Sequence, residues 1–240
     1  MTGYQRGAPS KFNIRISAEK GKPFNMKIYR VRSFRFWKSI DKKGEDLINY
    51  SIVSENGSLI KEGEITGDVH GKMELIDIVS EKKQDYLVNI VFMNDSWGAV
   101  SCSNQKTFIN LNRYFYFRMP PLGTGFASFF VKAPLSNNTI KIKFNWNKGA
   151  DANMGSVAGV MLQDINGNSI YQKRWIVPIG TQFNIQGNPD TPTVSQIELP
   201  IPSEHKGKIL KLNINAPKGV GWSVENLDNT WASNSFEAFK

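Results

Sequence analysis

Residues 114–131 read YFYFRMPPLGTGFASFFV, and the interpretation of the whole chain starts from this stretch. Two aromatic segments flank a break of prolines and glycines at 120–125, and neither residue type suits the middle of a sheet. Before the break, Phe115, Phe117 and Met119 share one face of the pleat, as in a half-buried strand. The stretch therefore predicts two strands joined by a loop, at the start of a second sandwich.

The rest of the chain repeats this alternation in short segments separated by turn signals. Apolar residues occupy every second position in segments that recur at roughly 8 to 12 residues, the rhythm of sandwich folds. Clear examples are 48–52, 86–92, 140–146 and 210–214. We therefore predict an all-β fold of two adjacent β-sandwich domains, immunoglobulin-like over 1–112 and jelly-roll-like over 113–240.

The second half carries a series of short features in a fixed order. These are the aromatic strand that runs into Pro120 and Gly123-Thr124, the turn Asp164–Gly167, the segment Leu199–Pro202, Gly207-Lys208 before an alternating strand, and the closing Val224–Leu227. In these features the second half resembles the jelly-roll accessory, carbohydrate-binding-like domains of bacterial polysaccharide-degrading enzymes. The resemblance implies a secreted or cell-surface protein that binds polysaccharide.

Metal binding is considered for two clusters of carboxylate and amide oxygens. Asp151-Ala152-Asn153 and Asp164–Asn168 both place such oxygens close together. The second cluster lacks the distal Glu of an EF-hand and lies between two strands, where Asn-Gly is an ordinary turn. We predict no cofactor and no metal ligand, although the resemblance leaves a structural calcium ion open.

Motifs for catalysis are missing from the sequence. There is no nucleophile elbow, zinc-protease motif, phosphate loop or dinucleotide fingerprint. Glu74 and Asp77 are three residues apart, so on a strand they face opposite sides and cannot form the acid pair of a glycosidase. Cys102 is the only cysteine, which excludes an intramolecular disulfide, and no apolar run is long enough to span a bilayer. A non-catalytic role is therefore favoured.

Positive charge is concentrated between residues 27 and 43, where aromatic residues are interleaved with the cations. The cations are Lys27, Arg30, Arg32, Arg35, Lys38, Lys42 and Lys43. Such a mixture suits single-stranded nucleic acid or an anionic polysaccharide, or simply the solvated face of an edge strand. The net charge of +9 is spread over both halves, so we do not expect a nucleic-acid-binding arm. Arg30, Arg32 and Arg35 are retained as candidates for binding an anionic glycan.

Tryptophans are the other candidate ligand-binding residues, because sugar rings stack on flat indoles. Trp222 and Trp231 lie in Gly- or Asn-rich segments where the pattern predicts little burial. Trp175 shares a strand face with Lys173, which favours its exposure because a buried lysine without a partner is costly. The predicted function is non-catalytic carbohydrate binding in a bacterial polysaccharide-processing system, within or beside a larger enzyme or cell-surface protein. Two alternatives stay open: a small β-sandwich polysaccharide lyase or glycoside hydrolase, and an adhesion or assembly protein that binds a protein partner.

Overall fold

The computed structural model of the chain describes residues 10–31, 48–66, 73–92, 97–104, 106–111, 115–116, 125–146, 151–152, 156–177, 181–182, 196–216 and 220–240. These residues form nineteen β-strands and two short 3-10 helices, and they contain no α-helix. No helix among them is long and apolar enough to cross a membrane. The predicted all-β fold class is therefore confirmed.

The chain divides into two compact units, Met1–Asn110 and Leu111–Lys240, and the predicted boundary fell at residue 112. The described residues of unit 1 form eight strands: β1 Ser10–Ala18, β2 Pro23–Val31, β3 Ile48–Ser54, β4 Leu59–Ile65, β5 Met73–Val79, β6 Gln84–Phe92, β7 Trp97–Cys102 and β8 Thr107–Asn110. Five of them form a sheet in the order β8-β1-β6-β3-β4, and the other three form a sheet in the order β5-β2-β7.

The two sheets of unit 1 bury their facing sides in one core. Alternation along β3 turns Ile48, Tyr50 and Ile52 inward. The core residues of both sheets form a single cluster, and across it the rings of Phe24 and Tyr86 lie 5.8 Å apart. Because each sheet contributes every second residue, unit 1 is an antiparallel sandwich.

A polar contact also joins the two sheets of unit 1. The Tyr50 hydroxyl on β3 donates a hydrogen bond to Glu74 Oε1 on β5, and Lys61 Nζ on β4 lies 3.4 Å from the same oxygen. Burial first, and then the hydrogen bond to Glu74, raise the pKa of Tyr50 above its usual range. The Tyr50 ring has room only because position 63 is glycine: a Cβ there would lie 2.4 Å from the Tyr50 hydroxyl.

In unit 2 the part of the chain that the structure describes forms eleven strands, of which three are only two residues long. They are β9 Phe115–Tyr116, β10 Gly125–Lys132, β11 Thr139–Trp146, β12 Asp151–Ala152, β13 Ser156–Gln163, β14 Ser169–Val177, β15 Thr181–Gln182, β16 Gln196–Pro200, β17 Ile209–Ala216, β18 Val220–Glu225 and β19 Trp231–Ser233. One sheet runs β14-β13-β17-β10-β19, a second runs β16-β11-β18-β9, and β12 pairs with β15. The 3-10 helices are Ser203–His205 and Phe236–Phe239.

The strand pairs of unit 2 are nested one inside the next. From the centre outward they are β13–β14, β12–β15, β11–β16, β10–β17 and β9–β18, all antiparallel. This order results when one long antiparallel hairpin is rolled over on itself. Unit 1 shows the nested pairs β1–β8 and β3–β6, and β2–β7 between them. Unit 1 also pairs β2 with β5, as an immunoglobulin sandwich pairs its second and fifth strands. The names immunoglobulin-like and jelly-roll-like for the two units stay predictions.

The contact between Gly63 and Tyr50 gives the first prediction. Gly63→Ala should lower the free energy of unfolding of unit 1 by about 1–3 kcal/mol, because the new methyl group overpacks against the buried ring. Urea denaturation of wild type and variant measures this loss. In a Tyr50→Ala background the same substitution should cost almost nothing. An equal cost in both backgrounds would show that Tyr50 is not the obstacle.

Candidate functional site

Trp222 is in the core of unit 2, so the prediction of little burial there was wrong. Its side chain is fully buried, and its ring stacks on Phe129 at 5.7 Å with an interplanar angle of 16°. The neighbouring glycines suggested a loop, but Trp222 lies within β18 directly opposite Phe144. A side chain in this place holds the two sheets of unit 2 together and has no surface to offer a ligand.

Lys173 lies on β14, the edge strand of its sheet among the described strands. It pairs with the buried Val160, so its side chain leaves the strand on the core side, yet it is exposed at the sheet edge. Inward-pointing charges of this kind protect sheet edges from pairing with other chains. The backbone of Trp175 pairs with Ala158, and the Trp175 side chain lies outside the described part of the chain.

The remaining candidates are divided between described and undescribed parts of the chain. Trp231 is half-buried and follows the opposite alternation to Ala232, which is fully buried. It therefore lies on the outer side of its sheet. The backbone of Arg30 pairs with Gly98 on β7, but its side chain, together with Arg32 and Arg35, lies outside the described residues.

The two oxygen-rich clusters have structural roles in the fold. Asp151-Ala152 form β12, and Asn153 lies outside the described residues. Asp164 Oδ1 accepts hydrogen bonds from the backbone amides of Asn166 at 2.9 Å and Asn168 at 2.8 Å, and Oδ2 accepts one from Asn168 Nδ2 at 2.7 Å. These bonds, the side-chain bond from Asn168 foremost, lower the pKa of Asp164. Within the described residues no three acidic, His or Cys side chains converge as a metal site would need.

A polar surface covers the outer side of the β14-β13-β17-β10 part of unit 2. We call it the unit 2 polar face, and it comprises Ser128, Gln163, Gln172, Arg174, Lys211 and Asn213. The register sets it: Asn213 lies opposite Ser128 on one side and Met161 on the other, and Met161 lies opposite Gln172. Alternate residues such as Leu210 and Leu212 are fully buried. The face is therefore the direct consequence of strand alternation.

Hydrogen bonds fix the amides at the centre of this face. Asn213 is only 6% exposed, and its Nδ2 donates to Gln163 Oε1 at 3.0 Å. Gln163 Nε2 in turn donates to the carbonyl of Gly167 at 2.9 Å, in the turn that Asp164 holds. The turn thus orients Gln163, and Gln163 orients Asn213. Amides held on strands in this way are suited to binding hydroxyl groups, because little side-chain freedom is lost on binding.

Arg174 supplies the charge of the face. With its amide oxygen turned toward the guanidinium, Gln172 accepts hydrogen bonds from Arg174 Nη2 at 2.9 Å and Nε at 2.7 Å. The stem of Arg174 lies over Gly159, where a Cβ would come within 3.3 Å of Arg174 Cγ. An exposed guanidinium held in this way can bind a carboxylate or sulfate with two parallel hydrogen bonds. None of the described outward side chains of β10, β13, β14 and β17 is acidic.

Sequence reasoning missed Asn213, Gln163 and Arg174. The signal for Asn213 was present, because Lys211, Asn213 and Asn215 alternate with Leu210 and Leu212 in a strand that had been predicted. No sequence signal could have shown that Gln163 braces Asn213, since the two residues lie fifty positions apart on different strands. The preference for Lys173 came from placing the cation beside Trp175 without knowing which strand face was polar.

The acids considered for hydrolysis do not form a catalytic pair. Glu74 points between the sheets of unit 1 toward Tyr50 and Lys61, whereas Asp77 is exposed on the other side of β5. They face opposite sides, as predicted. Cys102, the only cysteine, packs half-buried against the unit 1 core.

Comparisons with known proteins add little. The chain matches no protein-family model and no curated protein. One solved structure with some similarity is the CUB1-EGF-CUB2 domain of human MASP-1/3, at 8% identity over 93% of this chain and 96% of that one. The TM-score of that alignment is 0.20, so it supports no conclusion about fold or function.

The burial of Trp222 gives a second prediction. Trp222→Ala should lower the free energy of unfolding of unit 2 by about 3–5 kcal/mol, because it leaves a large cavity against Phe129. Trp231→Ala, the control on the outer side of the sheet, should cost much less. Thermal or urea denaturation compares the two variants. Similar losses for both would contradict the placement of Trp222 in the core.

A third prediction concerns the turn that braces the polar face. The folded-state pKa of Asp164 is lowered, so its stabilising effect is present above the unfolded value of 3.8 and is lost as the pH falls below it. The melting temperature of Asp164→Asn should therefore lie below that of wild type at neutral pH, and the difference should shrink as the solution is acidified. A difference that stays constant down to about pH 2 would show that the charge of Asp164 is not what holds the turn.

Proposed function

We propose that this chain is a non-catalytic carbohydrate-binding protein that recognises an anionic glycan through the unit 2 polar face. We further propose that it serves a bacterial polysaccharide-processing system, at the cell surface or in secreted form, alongside or within a larger enzyme. The single observation that carries the binding proposal is the braced set of amides beside an exposed, oriented Arg174 on a face without described acids.

The chemistry of the face supports this ligand class. Hydroxyl groups of a sugar need both donors and acceptors, and the surface amides of Gln163 and Gln172 carry both, whereas the nearly buried Asn213 braces Gln163. A uronate carboxylate or a sulfate needs a cation, and Arg174 and Lys211 both reach the outer side of the sheet. Trp231 lies on the same side, on β19, and is half-buried. The net charge of +9 adds a long-range attraction for polyanions.

The Phe236–Phe239 helix limits the face on one side. Phe130 on β10 packs against Phe236 with ring centroids 5.9 Å apart, so the outer side of β10 is covered there. The open part therefore lies over β13, β14 and β17, where the amides and Arg174 are. A glycan would lie across these strands and meet Arg174 at the sheet edge.

Adhesion to a protein partner is the second candidate, and it rests on a separate surface. Met73, Leu75 and Val79 on the outer side of β5 are 45%, 47% and 63% exposed. β5 has a free edge among the described strands, and a partner strand could add to such an edge. Protein binding that is lost in Leu75→Lys and unaffected by changes at Arg174 would favour this candidate.

The fourth prediction tests the glycan proposal at Arg174. Calorimetric titration with galacturonate oligomers should detect binding that Arg174→Gln weakens about ten-fold, the equivalent of one charge-assisted hydrogen bond. Lys173→Gln is the matched control, because it removes the same charge from the adjacent residue on the opposite face. The affinity should also fall as salt is added, since the interacting charges are exposed.

Two results would contradict the proposal. Equal losses in Arg174→Gln and Lys173→Gln would mean that general charge attracts the glycan and that the polar face does not bind it. Equal affinity of wild type for neutral glucose oligomers and for galacturonate oligomers would contradict the claim that the ligand is anionic.

A further inference from the structure

Unit 1 has a groove of about 440 Å³ on the outer side of its five-stranded sheet. Its outward-facing side chains come from three adjacent strands: Asn49 and Ser51 on β3, Glu62 and Glu64 on β4, and Asn89 and Val91 on β6. The strand register lines these residues up across the sheet. Glu62 lies opposite Ser51 and Glu64 opposite Asn49, while Ser51 lies opposite Asn89 on its other side. We call this the unit 1 groove.

The polar groups of the groove are held in place on strands. Asn89 Nδ2 donates a hydrogen bond to Ser51 Oγ at 3.3 Å across the β3–β6 pair. The opposite side of β3 is buried, as Ile52 and Tyr50 show, so the strand cannot rotate to present another face. An amide and a hydroxyl in a fixed relation form the floor, and such a floor suits a ligand rich in hydroxyl groups.

The charge of the groove is opposite to the charge of the chain. Glu62 and Glu64 are exposed, and neither makes an ion pair or hydrogen bond with any described residue. The described cations of the same face, Lys11 and Arg15, lie on β1, three strand spacings from β4, or about 14 Å. In a protein with a net charge of +9, a groove whose two carboxylates pair with no described cation disfavours uronates and sulfates.

The two carboxylates are arranged for binding and not for cleavage of a glycosidic bond. Their side chains project from the same face of one strand, and the two residues are separated by two positions, or about 7 Å along the strand. A glycosidase needs one carboxyl group on each side of the scissile bond. Side chains from a single strand lie side by side under a ligand, where they can pair with two successive positive charges.

We propose that the unit 1 groove binds a second glycan class, a cationic oligosaccharide that carries free protonated amino groups. Asn49, Ser51 and Asn89 bind its hydroxyls, and Glu62 and Glu64 pair with its ammonium groups. This site is on the other unit, and its charge is opposite to that of the unit 2 polar face. It therefore does not depend on the proposed function at Arg174.

The test compares two oligosaccharides that differ only at the amino nitrogen, which is protonated in one and acetylated and neutral in the other. The intact chain is titrated at pH 6 and low salt with glucosamine oligomers and with fully N-acetylated oligomers of the same length. Glucosamine oligomers should bind about five-fold more tightly, because two exposed ion pairs of roughly 0.5 kcal/mol each together contribute about 1 kcal/mol. Glu62→Gln and Glu64→Gln should each weaken this binding by up to about five-fold, whereas Glu81→Gln, an exposed acid in a turn, should not.

Every other outcome overturns the proposal in a recognisable way. Equal binding of acetylated and free-amine oligomers would show that the groove does not recognise the positive charge. No binding of either oligomer would show that the groove is not a glycan site. Tetralysine that binds as well as the glucosamine oligomer and competes with it would show that the groove takes basic peptide. Loss of glucosamine binding in Arg174→Gln would place the ligand on unit 2 and overturn the assignment to the groove.

Discussion

The structure depends on the burial, between two sheets, of one face of the central strands of each unit. In unit 2 the buried residues include Trp222, which is stacked on Phe129 and lies opposite Phe144. Once these faces are buried, the register of each strand is fixed, because a slip by one residue would turn every apolar side chain outward. The outer side of each sheet is then equally fixed. The polar residues that lie there form defined surfaces with side chains in set places.

Much of this could be predicted from the sequence, and the limits have clear physical causes. Alternation at 48–52 and 210–214 showed strands and their buried residues correctly, because period-two patterning is a local property. The prediction that Trp222 is little buried was wrong because glycines near it are typical of a loop. Its burial involves stacking on Phe129, which lies more than ninety residues away in the sequence. The exposure of Lys173 on the core side of β14 required knowing that β14 is an edge strand. The bracing of Asn213 by Gln163 likewise exists only after the strands have paired.

The outer surfaces of the two units differ in chemistry. The unit 2 polar face combines amides with Arg174 and Lys211 and has no described acid, whereas the unit 1 groove combines amides with Glu62 and Glu64. Both surfaces carry side-chain amides and a serine hydroxyl on strands, so charge is what distinguishes the ligands proposed for them. A protein with two such surfaces would bind two glycans of opposite charge. That property fits an accessory role in which polysaccharides are held for another protein to process.

The central claim is that braced amides and Arg174 on the outer side of β13, β14 and β17 form a glycan site. The most direct measurement is solution NMR of the side-chain amide and guanidinium signals during titration with galacturonate oligomers. The account predicts that signals of Asn213, Gln163, Gln172 and Arg174 shift together, with saturation at a single affinity. Shifts confined to other parts of the chain, or no saturable shift at these four side chains, would contradict it.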